Sequence, residues 1–78
     1  MWSFYVNVHT IEEVQEFVAL ASVQPFDITV GNESQSVNGK SLMGYFCLDP
    51  FRPMQVRMVC TEEEYSRFYD AAEPFRVK

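Results

Sequence analysis

The sequence predicts an α+β fold: a β-α-β-β-α-β-α chain closing into an open-faced two-layer sandwich, a four-stranded antiparallel sheet with three helices on one face. Three observations carry this. Several stretches alternate apolar and polar residues with period two. Two others carry a single apolar stripe at helical spacing, each opened by a Thr-x-x-Glu box. Finally, 78 residues with 47% hydrophobic and 15% aromatic content can fill one small core and not two, so one domain over 1–78 is expected.

Trp2, Phe4, Val6 and Val8 alternate with Ser3, Tyr5 and Asn7, the pattern of a first strand. Thr10 and Glu13 have capping-box spacing and start a helix whose stripe is Ile11, Val14, Phe17, Val18 and Ala21. Glu12, Glu13 and Glu16 lie in its first turns, where the positive end of the helix dipole favours them. Pro25 ends this helix near Ser22. Phe26, Ile28 and Val30 mark a second strand, Gly31 to Ser34 a turn, and Ser34 to Val37 a short, polar third strand paired to the second as a hairpin. In the stretch 41–49, Leu42, Tyr45, Phe46 and Leu48 suit a short helix with Ser41 as N-cap. Gly44 lets a neighbour approach it, and Pro50 and Pro53 end it. Val56, Met58 and Cys60 alternate with Gln55, Arg57 and Val59 as the fourth strand, expected beside the first. Thr61 and Glu64 form a second box before the stripe Tyr65, Phe68, Tyr69 and Ala72. Pro74 stops that helix and leaves Phe75 to Lys78 as a tail.

Composition narrows the function classes. Six basic residues against eleven acidic give a net charge of -5, which argues against nucleic acid as a partner, because phosphate backbones need a basic face. No apolar run nears the ~18 residues a membrane span needs, and the first residues lack the basic start and cleavage site of a signal peptide. Cys47 and Cys60 are too few for a disulfide framework. The expected setting is therefore the cytoplasm, with no membrane partner. One histidine and two distant cysteines do not make a zinc ligand set, and no glycine spacing matches a phosphate loop, so neither a metal nor a cofactor is expected.

Two residues remain as candidates for chemistry. His9, the sole histidine, stands at the junction of the first strand and first helix, where it is either a phosphoacceptor or an ordinary loop residue. Ser41 is either a plain N-cap or a phosphorylation site beside Lys40. The short helix after it carries more apolar residues than it can bury, so some are left as a docking face.

The segment SVNGKSLMG at 36–44 resembles the regulatory-serine segment of HPr, the small histidine-containing phosphocarrier of the bacterial sugar phosphotransferase system. The likeness extends back through FDITV at 26–30 to EFVALAS at 16–22 and forward loosely through MQVRM at 54–58. It implies the same β-α-β-β-α-β-α fold, a regulatory phosphoserine at Ser41 made by a dedicated ATP-dependent kinase, and a partner-binding surface of Lys40, Leu42, Met43 and Phe46. The implied partners are other proteins: phosphotransferase enzymes, HPr kinase or a transcriptional regulator.

The catalytic segment departs from the pattern. Where the family has a Gly-Leu-His-Ala-Arg-Pro type of segment, this chain has VHTIEE at 8–13. Thr10 stands at the place of the phosphoacceptor histidine, Glu12 at that of the phosphate-binding arginine, and Glu13 at that of the proline. A carboxylate ~4 Å from a phosphoryl group opposes it by a sizeable Coulomb term. The turn glycine before the fourth strand is likewise replaced, by Pro53. The expectation is thus a non-catalytic, HPr-like regulatory protein with a degenerate phosphohistidine site, like the catabolite-repression HPr. The alternative is a carrier relaying phosphoryl groups through His9 in a shifted register.

Overall fold

A computed structural model describes residues 1–33, 35–49 and 52–77; Ser34 at the start of the expected third strand, Pro50 as an expected helix stop, and the final Lys78 of the tail lie outside the described residues. The elements are β1 (Trp2–Val6), α1 (Ile11–Ser22), β2 (Ile28–Gly31), β3 (Ser36–Asn38), α2 (Leu42–Tyr45), β4 (Met54–Met58) and α3 (Glu62–Ala71), followed by a single 3-10 turn at Glu73–Phe75. The four strands form one sheet in the order β1-β4-β2-β3, and every neighbouring pair is antiparallel.

Register follows from the alternation in the sequence. Phe4 faces Val56, Val56 faces Val30, and Val30 faces Val37, so one apolar row crosses all four strands. Trp2, Met58 and Ile28 make a second row. A slip of one residue would turn each of these side chains toward water, which is why the pairing is specified. All three helices cover this face. Phe68 of α3 lies 5.6 Å from the Phe4 ring and 6.0 Å from Phe17 of α1, and Phe17 meets Tyr45 of α2 at 6.3 Å. The opposite face keeps Tyr5, Thr29 and Arg57 exposed. This is the open-faced α+β sandwich that the sequence predicts. No described helix is long and apolar enough to cross a membrane.

Both capping boxes form. Thr10 accepts from the Glu13 N–H at 3.1 Å, Thr61 accepts from the Glu64 N–H at 3.1 Å, and each glutamate reaches back to its cap.

Four sequence expectations need correction. The strand ends shift: β1 stops at Val6, β2 begins at Ile28, β3 runs over Ser36–Asn38, and β4 over Met54–Met58. Phe26 and Val8 nonetheless stay buried, because the core needs the side chain and not the ladder. Ile11 does not join the stripe of α1; it is 61% exposed at the first helical position. The residues after Pro74 are not a free tail. Asn7 donates to the Phe75 carbonyl at 2.7 Å, Val77 donates to the Tyr5 carbonyl at 3.0 Å, and Val6 bridges Arg76. The segment covers the outer edge of β1, whose backbone groups would otherwise be unpaired. Finally, the side chain of Ser41 does not cap α2, as described next.

Candidate functional site

The route from β3 into α2 is tight. Gly39 donates its N–H to the Ile28 carbonyl at 2.7 Å, and a Cβ there would meet Ile28 Cγ2 at 2.6 Å. A side chain at this position would push the chain off β2. Ser41 follows with extended backbone at the N-cap position, its N–H donating to the Asn38 carbonyl at 3.1 Å. Its hydroxyl makes no capping hydrogen bond.

The helix is one turn long and continues with i to i+3 bonds: Phe46 to Met43 at 3.2 Å, Cys47 to Gly44 at 3.1 Å, and Leu48 to Tyr45 at 3.1 Å. With close to three residues per turn, side chains three apart align. Leu42, Tyr45 and Leu48 therefore point inward; Tyr45 and Leu48 are buried and Leu42 packs partly against the core. Met43 and Phe46 align on the other side, 78% and 58% exposed. The expected apolar surplus is real, but Leu42 contributes only its outer edge to it.

Tertiary contacts hold this turn in place. The buried Tyr45 hydroxyl donates to the Gly39 carbonyl at 2.8 Å. Burial pushes the Tyr45 phenol well above its ordinary value near 10. Gly44 sits against Val37, where a Cβ would lie 3.0 Å from the valine Cβ, so the close approach that the glycine allows is to β3. The Gln35 side chain donates to the Cys47 carbonyl. The Lys40 ammonium donates to the Gln24 carbonyl just past the end of α1, at 2.8 Å. Lys40 therefore stands next to Ser41 in sequence with its charge already engaged on a neutral acceptor. Sequence reasoning missed this link, because nothing in residues 24 and 40 taken separately signals it.

The second candidate lies at the other end of α1. His9 is exposed. Its backbone N–H donates to Glu13 Oε1 at 3.1 Å, and the same oxygen accepts from the Thr10 N–H at 3.2 Å and the Thr10 hydroxyl at 3.3 Å. A carboxylate thus takes the His9 and Thr10 N–H groups just ahead of the helix, and the Thr10 hydroxyl takes the Glu13 N–H.

No family model matches the chain, and no curated protein matches it. Among solved structures, the chain is similar to HPr-C-His from Thermoanaerobacter tengcongensis, with a TM-score of 0.72, 21% identity, and 94% of this chain and 92% of that chain covered. The fold is HPr-like. An HPr-like sheet and helix arrangement puts Ser41, Met43 and Phe46 on one turn, and His9 ahead of α1 as a separate element end.

Proposed function

We propose that this chain is an HPr-like regulatory or interaction protein, in which Ser41 is the regulated position and Met43 and Phe46, with Lys40 and the outer edge of Leu42, form the partner surface. Phosphoryl carriage through His9 is lost in this reading. The observation that carries it is the α2 turn: two large apolar side chains 78% and 58% exposed beside a serine whose hydroxyl caps nothing. Large apolar side chains exposed side by side mark a partner-binding surface, and methionine adapts well to such contacts. Implied partners are phosphotransferase enzymes, an HPr kinase or a transcriptional regulator, in the cytoplasm.

A phosphate on Ser41 adds about two negative charges at the rim of that surface. It competes with the Gln24 carbonyl for Lys40, which lies one residue away. A single helical turn supplies little macrodipole, so the phosphate acts on docking and not on folding. At the head of α1, the Glu13 carboxylate already sits on the His9 and Thr10 N–H groups, and Glu12 adds a second negative charge in the first turn. These charges oppose phosphohistidine formation at His9.

The test is treatment with an HPr kinase and ATP, with Ser41→Ala as control, followed by intact mass. A gain of about 80 Da, one phosphate, that disappears in Ser41→Ala is the expected result. A parallel incubation with phosphoenolpyruvate and the first enzyme of the phosphotransferase system should leave the mass unchanged. An acid-labile adduct abolished by His9→Ala would instead establish the carrier reading.

A further inference from the structure

We infer that the partner docking on α2 is a cationic protein segment, one that surrounds one or two large apolar side chains with Lys or Arg. The inference rests on the docking surface proposed above and adds the chemistry of its occupant. The Lys40 bond to Gln24 and the Phe17–Tyr45 ring contact fix which flank of α1 lies beside α2: the row Glu13, Phe17, Leu20 and Gln24. The next positions outward are Glu12 and Glu16 of α1 and its C-cap Val23, all exposed. Val23, next in chain to the Gln24 that holds Lys40, is 76% exposed and adds an apolar side chain at the end of α1 that meets the start of α2, while Glu12 and Glu16 put negative charge on the same outward side of α1. α1 carries no basic residue at all.

Among the described residues from 38 to 52, the cations are Lys40, held at the Gln24 carbonyl, and Arg52, paired with Asp49 at 3.5 Å. The face is therefore apolar at its centre and anionic at its edge. Nucleic acid and anionic lipid are repelled by it. A second copy of this chain would bring the same glutamates together. A basic segment with an apolar tip complements both features, and complementary charge chiefly sets specificity and the rate of encounter.

The experiment titrates the isotope-labelled protein with two synthetic helical peptides that share a leucine face and differ only in carrying lysine or glutamate on the polar face. Amide shifts are read by NMR. The lysine peptide should bind and perturb residues 41–47 with Glu12, Glu16 and Val23, the glutamate peptide should not, and added salt should weaken the complex. The double variant Glu12→Gln, Glu16→Gln should weaken binding by about threefold to tenfold. Glu62→Gln with Asp70→Asn removes the same amount of charge from α3 and should leave the affinity unchanged. Equal weakening by both double variants, equal binding of both peptides, or self-association through this face would overturn the inference. Met43→Ala with Phe46→Ala separates the two levels. If that variant binds the lysine peptide as before, the docking surface itself is wrong. If the lysine peptide fails to bind while Ser41 is still a kinase substrate, only the charge assignment falls.

Discussion

α1 and α2 both begin with a hydroxyl residue at the N-cap, and the two ends are held in opposite ways. Thr10 is locked. It accepts from Glu13, and Glu13 folds back onto the backbone of Thr10 and His9. α1 is thus closed by bonds between residues at most four apart. Ser41 makes no such bond, and its turn is held from outside by Tyr45 on Gly39, Gln35 on Cys47 and Lys40 on Gln24. A local box stabilises a helix but places a carboxylate at its N-terminal end. A tertiary clamp leaves the hydroxyl and the outward side chains uncommitted. At the head of α1 the N–H groups of His9, Thr10 and Glu13 are taken by the box itself, and the uncapped end is the one with a hydroxyl to offer.

The largest effect expected on this contrast comes from Phe17→Ala. The ring is fully buried and touches both Tyr45 and Phe68. Its loss should cost about 3–5 kcal/mol in urea unfolding. It should also speed amide exchange in 42–48 more than at the head of α1, if α2 depends on the core and α1 on its own cap.

Tyr45→Phe is the next step down. The Gly39 carbonyl loses its donor, at about 1.5 kcal/mol. The same substitution sharpens a pH test. Burial raises the Tyr45 phenol, so the folded state holds its proton more tightly than the unfolded chain. Its contribution is fully present below about pH 10 and is lost as pH rises beyond that point. Tyr65, raised by burial and then by Tyr69, acts in the same direction. The alkaline loss of stability should therefore shrink in Tyr45→Phe without vanishing, as read by thermal melts between pH 8 and pH 11.

Thr10→Ala and Thr61→Ala should each cost about 1 kcal/mol, because each removes one side of a formed capping box. The smallest effect is Ser41→Ala, expected within about 0.5 kcal/mol of the unchanged protein, since its hydroxyl caps nothing. A cost equal to that of Thr10→Ala would show that Ser41 works as a cap in solution and would erase the contrast.

Much of this architecture is legible in the residues. The two Thr-x-x-Glu boxes, the stripe of α3 and the alternation in β1 and β4 are local patterns with local causes; the boxes form at the predicted residues, and the two strands form with ends shifted by one or two residues. The candidate site is legible in part. A helix as short as α2 must expose some of its apolar residues, but which ones depends on its winding. Three residues per turn send Leu42 inward with Tyr45 and Leu48, and Met43 and Phe46 outward. Glu12 and Glu16 read as an ordinary solvated face until α2 is known to pack along α1.

By itself, the sequence determined the order of elements, the two capped helices, the inward rows of the sheet and the acidic character of α1. Each of these follows from residue spacing within one element, where backbone geometry ties position to direction. Only the tertiary structure decided that the last residues pair with β1, that Ile11 faces water, that Lys40 holds the end of α1, and that Ser41 keeps its hydroxyl idle. These outcomes depend on which groups meet across many residues of chain. A backbone edge left unpaired, or a carbonyl left bare past a helix end, recruits whatever donor the folded chain brings within reach.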